Sequence, residues 1–186
     1  MRPRTLEIAF DPRAWTPERA RETATLFDGL APDWRNRDRA GRDDAFEDAL
    51  ARGDLPRRGI GLEIGSGTGM FTSRLAEHFD TLVAIDLSIE MLKLADAATP
   101  RVCADAAVLP VRNRSVQAVV LANCFLFPGE VDRVLADSGT LIWVSSLGEL
   151  TPIYLSPEEV IEALPGPWRA MTAAAGWGSW AVFRRR

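Results

Sequence analysis

The chain has 186 residues, a formal net charge of -4, 47% hydrophobic and 26% charged residues. This is ordinary globular usage, enough for one domain with a core that needs no disulfide staples. The negative balance disfavours nucleic-acid binding by net charge, no apolar run reads as a signal peptide or bilayer span, and two cysteines with one histidine cannot furnish a tetrahedral zinc site.

Residues 1–56 are charged and punctuated by proline. Thr16-Pro17-Glu18 opens a helix with proline at its first position, and Ala20, Ala24, Phe27 and Leu30 give it a modest apolar face. Asp43 to Arg52 reads as a second helix, carrying Phe46, Ala49 and Leu50 and stopped by Gly53. Neither has the apolar surface to fold alone, so both are expected to lie over something else. Asp38, Asp43 and Asp44 read as solvated charges.

From Arg58 the pattern alternates. Strands are expected at 60–64, 81–85, 101–104, 116–121, 140–144, 168–174 and 179–184. Helices are expected at 69–79, after the N-cap Ser88, at 130–136, and from Ser156 through Leu164. Strands alternating with helices of about ten residues predict βαβ units and a mostly parallel sheet. The last two strands, joined by the short turn Gly176-Trp177-Gly178, are expected to pair antiparallel. Arg184, Arg185 and Arg186 read as a solvated end, and Cys103 and Cys124 as buried free thiols of a reducing compartment. The cytoplasm is the expected location. The oligomeric state is not legible, though a homo-oligomer is compatible with the pattern.

The chemistry-bearing stretch is Leu62-Glu63-Ile64-Gly65-Ser66-Gly67-Thr68-Gly69-Met70. A buried strand ends in an acid, and glycines follow at every second position. A ligand can lie directly against such a backbone, at the carboxyl edge of a parallel sheet. The dinucleotide fingerprint Gly-x-Gly-x-x-Gly would put its third glycine where this chain has Met70, which argues against a nicotinamide oxidoreductase. Glu63, so close to the turn, would repel a pyrophosphate and suits a cation or amino group. Asp86 ends the second strand 21 residues after Gly65, the spacing of an acid that accepts hydrogen bonds from ribose hydroxyls.

Three features in order, Glu63-x-Gly65-x-Gly67-x-Gly69, Val83-Ala84-Ile85-Asp86, and Ala104-Asp105-Ala106 with Leu109-Pro110, resemble the class I S-adenosylmethionine-dependent methyltransferases, over roughly residues 58–145. The resemblance implies an α/β, Rossmann-like, doubly wound and mostly parallel seven-stranded sheet with an antiparallel C-terminal strand. It divides the chain into an N-terminal helical lid, 1–56, and a cofactor-binding domain, 57–186, in one compact unit. It implies S-adenosylmethionine as cofactor, with S-adenosylhomocysteine as product. Gly65, Ser66, Gly67 and Gly69 would form the ledge for its methionyl part, with Glu63 near its amino end. Asp86 would take the ribose hydroxyls, Leu87 and Met91 would face the adenine, and Asp105 and Ala106 would bind its amino edge. Asn123 would face the sulfonium, and Trp34, in Phe27-Asp28-Gly29-Leu30-Ala31-Pro32-Asp33-Trp34, would close over the cofactor.

Two departures stand out. Ser115-Val116-Gln117 lacks the acid that often opens strand four, and Asn123-Cys124-Phe125-Leu126 is not the Asn-Pro-Pro-aromatic motif of members that methylate adenine or glutamine. The expected acceptor is therefore a small molecule bearing an O, N or C nucleophile. No membrane or nucleic-acid partner is expected. Trp15, Phe27, Trp34, Phe125, Phe127, Trp143 and Tyr154 are candidates to line its pocket. Few bases are on offer. His78 falls on the far side from the crevice, and Tyr154, with Glu149 in the same loop, is the best single candidate to orient a substrate. The same scarcity motivates an alternative, a methyltransferase-like binding or regulatory module that holds the cofactor without methylating.

Overall fold

The computed structural model describes residues 2–37 and 40–186. Asp38 lies outside them. Seven strands form one sheet: β1 (Ile60–Ile64), β2 (Thr81–Asp86), β3 (Arg101–Cys103), β4 (Val116–Ala122), β5 (Leu135–Ser145), β6 (Trp168–Ala175) and β7 (Gly178–Arg185). Their order is β3-β2-β1-β4-β5-β7-β6. β1 to β5 pair in parallel, and β7 inserts antiparallel between β5 and β6. The expected doubly wound sheet with an antiparallel C-terminal strand is what the chain forms. Strand order reverses between β1 and β4, which places a crevice at their carboxyl ends.

The helices are α1 (Arg2–Phe10), α2 (Pro17–Leu30), α3 (Asp44–Arg52), α4 (Thr72–Ala76), α5 (Ile89–Leu94), α6 (Pro128–Val134) and α7 (Pro157–Ala163). Alternation along each strand gives the sheet two apolar faces. Leu62, Ile64, Ile85, Val119, Leu121, Leu141 and Trp143 pack with Val131 and Val134 of α6, Val160 of α7 and Ala9 of α1. On the opposite face Leu82, Ala118, Val120, Ile142 and Val144 pack with Phe46 and Ala49 of α3 and with Phe71, Leu75 and Phe79 around α4. Phe46 stacks on Phe71 at 4.2 Å between ring centroids. So α3 lies over the sheet, whereas α2 buries no residue and rests on α5.

Several boundaries differ from the sequence reading. α1 has no counterpart in the sequence reading, because a nine-residue stretch with Pro3 in its first turn and a weak apolar stripe carries little helical signal. The helix expected from Gly69 begins at Thr72, because Gly69 sits at φ +80°, outside the helical region. β5 starts at Leu135, with a register irregularity opposite Val116–Ala118. Ser156 caps α7 as expected, in a full capping box with Glu159. Arg184 and Arg185 are not a solvated end. They belong to β7, where Arg185 pairs with Asp132 at 2.8 Å and lies 4.6 Å over the Trp168 ring. Asp43 is not simply solvated either, since it pairs with Arg74 at 2.9 Å. Cys103 is exposed rather than buried. Among the described residues no helix is long and apolar enough to cross a membrane.

Candidate functional site

β1 runs into the glycine turn at the reversal point of the sheet. Gly65, Gly67 and Gly69 take φ values of +73°, +55° and +80°. The turn is hooked to the neighbouring strand, because Gly65 N and Ser66 N both donate to the Ile85 carbonyl, at 2.8 and 3.1 Å. Two of the glycines are required for different reasons. A Cβ on Gly65 would come within 2.6 Å of Cys124 Sγ, so backbone and thiol share one space. A Cβ on Gly67 would meet only Trp34 Nε1, at 3.8 Å, so this residue forms an open ledge facing the N-terminal segment. Ser66 is buried, and among the described residues its Oγ has no hydrogen-bond partner.

Asp86 closes β2 directly across from this ledge. Its Oδ2 accepts from Gly67 N at 2.7 Å and its Oδ1 accepts from Ser88 N at 2.8 Å. Two main-chain donors thus fix the carboxylate and leave lone pairs on both oxygens. Burial pushes Asp86 up from the usual carboxylate range, against the pull of those N–H groups. Ser88 caps α5 by accepting from Met91 N, and its hydroxyl donates to Asp28 Oδ1 at 2.5 Å. Asp28 also accepts from Glu90 N at 3.2 Å, so a carboxylate of α2 sits on the amino end of α5.

Glu63 is 2% exposed, and Thr72 Oγ1 donates to its Oε2 at 2.5 Å. Burial pushes its carboxyl up to about 7, with the nearby Asp86 charge adding to the effect. At neutral pH this group is therefore poised between its two forms, just ahead of the glycine turn.

The remaining expected residues gather around the same edge. Asp105 follows β3, and its Oδ1 accepts from Ala107 N at 2.8 Å. Trp15 Nε1 donates to both Asp105 oxygens, at 3.1 and 2.9 Å. Asn123 takes φ +53° at the end of β4. Its amide exchanges two 2.9 Å hydrogen bonds with Ser146, Nδ2 donating to Oγ and Oδ1 accepting from N. It thereby ties the ends of β4 and β5. Leu87 and Ala106 are half-buried, whereas Met91, on the inner side of α5, is fully buried. Trp34 stands near Gly67 and meets Phe27 edge-on at 5.8 Å.

Residues 62–142 match the family described as a methyltransferase domain. An uncharacterized methyltransferase of Mycobacterium tuberculosis is 33% identical over 127 residues, covering 58% of this chain and 52% of that protein. A demethylmenaquinone methyltransferase of Corynebacterium urealyticum is 31% identical over 126 residues, covering 59% and 50%. The chain thus spans about half the length of these curated relatives. A solved DhpI–SAH complex superposes with a TM-score of 0.74 over 89% of this chain and 96% of that one, at 22% identity. Residues 62–142 thus match a methyltransferase domain, and the chain has the fold of solved S-adenosylmethionine-dependent methyltransferases.

In the structure, the turn, Asp86 and Glu63 are joined to one another and to the N-terminal segment through long-range partners. Thr72 holds Glu63, Asp28 locks Ser88, and Trp15 engages Asp105. Sequence points to these residues singly, but not to their pairing, which joins segments far apart in the chain. The aromatic candidates divide. Trp15 meets Phe125 and Phe127 at 5.9 and 5.2 Å, whereas Trp143 is a core residue of the sheet. Tyr154 is buried with the Arg2 guanidinium 5.2 Å over its ring, and burial pushes its hydroxyl up. That makes it a poor proton acceptor at neutral pH. Cys124, with its thiol against Gly65, is pushed up to about 12 by burial and is no thiolate nucleophile. His78 borders a groove with Leu50, Arg52, Asp54 and Arg57, just before β2 and so at the opposite edge of the sheet from the turn.

Proposed function

We propose that the chain transfers a methyl group from S-adenosylmethionine to a small-molecule acceptor, mainly by proximity and orientation. The observation that carries this reading is the pairing of the Gly67 ledge with Asp86, a carboxylate already fixed by two main-chain N–H groups. The residues present fit the cofactor. The ledge is open where a side chain would fill it, and Ser66 Oγ is a buried polar atom awaiting a partner. Gly65, Ser66, Gly67 and Gly69 would hold the methionyl part, Glu63 would act near its amino end, and Asp86 would accept from the ribose hydroxyls. Leu87 and Met91 would bound the adenine, Asp105 and Ala106 would serve its amino edge, and Asn123 and Trp34 would border the sulfonium side.

The cofactor supplies a methyl group already activated on a positively charged sulfur. The chain's own task is to align an acceptor atom with it and exclude water. Such positioning contributes up to roughly 7–11 kcal/mol in favourable cases. The rigid pieces are visible. Asn123 is locked to Ser146, the turn is hooked to Ile85, and α2 is anchored on α5 through Asp28. The N-terminal helical segment acts as the lid, and the acceptor lies between it and the carboxyl ends of β4 and β5. Phe125 and Phe127, with Ile8 and Ile153, supply apolar wall there. With Tyr154 covered by Arg2 and Cys124 held as a thiol, neither is given a proton-transfer role.

The test is calorimetry with S-adenosylhomocysteine on the wild type and Asp86→Ala, followed by methyl transfer from labelled S-adenosylmethionine to a metabolite panel. The variant should bind at least about 10-fold more weakly, since charge-assisted hydrogen bonds are lost. Equal binding by the two proteins, or no binding by either, counts against the reading.

A further inference from the structure

Trp15 lies on the joint between the turn Pro12–Ala14 and α2, with extended backbone at φ -96° and ψ 102°. The joint is braced, because Arg19 Nη1 donates to the Ala14 carbonyl at 2.6 Å and pairs with Glu7 at 3.2 Å. From it the half-buried indole reaches across 90 residues of sequence to Asp105. Its N–H is shared between the two carboxylate oxygens, at 3.1 and 2.9 Å, and so occupies the span between them. Oδ1 is further engaged by Ala107 N. The ring meets Phe125 and Phe127 at 53° and 71°, in tilted and edge contacts rather than a stack.

A flat fused bicycle with an N–H aimed at a carboxylate therefore sits in an aromatic-walled slot. Adenine has the same bicyclic outline, and its amino group is a donor of the same kind. In the function proposed above, on which this step rests, Asp105 is the acceptor for that amino group. Both donors would be received by the same carboxylate.

We infer that Trp15 is an internal stand-in for adenine, which leaves Asp105 when the nucleoside enters, so that the joint ahead of α2 gates the cofactor site. The contact competes with the ligand and lowers its apparent affinity by the fraction of molecules in the closed form. The slot walls stay apolar and the carboxylate stays paired in either state, which keeps a half-buried acceptor from being left unsatisfied.

The experiment titrates S-adenosylhomocysteine into the wild type and Trp15→Phe by calorimetry, and follows the 19F resonance of Trp15 in 5-fluorotryptophan-labelled protein. Trp15→Phe retains an aromatic ring and removes the N–H. It should bind about 10-fold more tightly, the equivalent of one charge-assisted hydrogen bond. In the wild type the Trp15 resonance should shift on saturation, with a larger solvent-isotope shift. Equal or weaker binding by Trp15→Phe, or a resonance unmoved at saturation, overturns the gate and leaves the cofactor reading standing. No binding by either protein overturns both. Should Trp15→Phe fail to fold, as judged by its thermal melt, Trp15→Tyr assigns the resonance and the wild-type titration decides.

Discussion

Replacing Glu63 by glutamine should change how stability depends on pH, and the change can be sized. In the folded chain this carboxyl is 2% exposed and titrates near 7, against an ordinary value of 4.5. The folded state therefore keeps a proton, between about pH 4.5 and 7, that the unfolded chain has released. The associated stability is fully present below about pH 4.5 and is lost as pH rises through about 7. The distance from 4.5 to about 7, at about 1.4 kcal/mol per pH unit, corresponds to about 3 kcal/mol. For a chain of this size, that is roughly 6–12 °C in Tm. In the Glu63→Gln variant the side chain cannot ionise, and its amide oxygen can still accept from Thr72 Oγ1. Thermal or urea unfolding of both proteins, at about pH 5 and about pH 8, isolates the Glu63 contribution as a difference of differences, because the other carboxylates are common to both. The wild type should lose about 3 kcal/mol more than the variant on going to the higher pH. Parallel pH profiles would refute the claim that an ionisable group is held dry beneath the glycine turn.

The same carboxyl should couple to ligand binding. Its charged form attracts a cation, so affinity for S-adenosylmethionine should rise from about pH 6 to about pH 8 in the wild type and stay flat in Glu63→Gln. Calorimetry in buffers of different ionisation enthalpy should show proton release on binding at the lower pH, and proton uptake would contradict the assignment. The two central glycines should separate folding from binding. Gly65→Ala places a Cβ 2.6 Å from Cys124 Sγ at φ +73°, and should cost about 3 kcal/mol or more in stability. Gly67→Ala meets nothing nearer than 3.8 Å and should cost only about 1–2 kcal/mol, yet it should abolish S-adenosylhomocysteine binding by filling the ledge. Melting curves and calorimetry on the pair check this, and binding by a folded Gly67→Ala protein would remove the ledge from the site.

Much of the architecture could be read from local pattern. Alternating strands and helices, with the short Gly176–Gly178 turn, announced a parallel sheet closed by an antiparallel pair. That the last strand inserts between β5 and β6 was not legible in residues alone, because strand order depends on which edge remains open. Errors fell where local signal is weak. α1 has too faint an apolar stripe, and α4 is short because Gly69 is held left-handed by the turn before it. Arg184 and Arg185 looked like a tail until Asp132 and Trp168, from distant segments, were seen to receive Arg185.

The sequence by itself determined the chemistry available at the sheet's edge: a side-chain-free bend after β1, an acid just before it, and a second acid at the end of β2. These follow from residue type and spacing, which act over a few residues and leave a readable period. Only the tertiary structure decided what each acid touches. It put Glu63 out of water against Thr72, gave Asp86 two main-chain donors, and handed Asp105 to an indole from the N-terminal segment. Those partners are 9, 19 and 90 residues away, with only Ser88 close by, and a hydrogen bond between remote segments leaves no periodic trace in the chain.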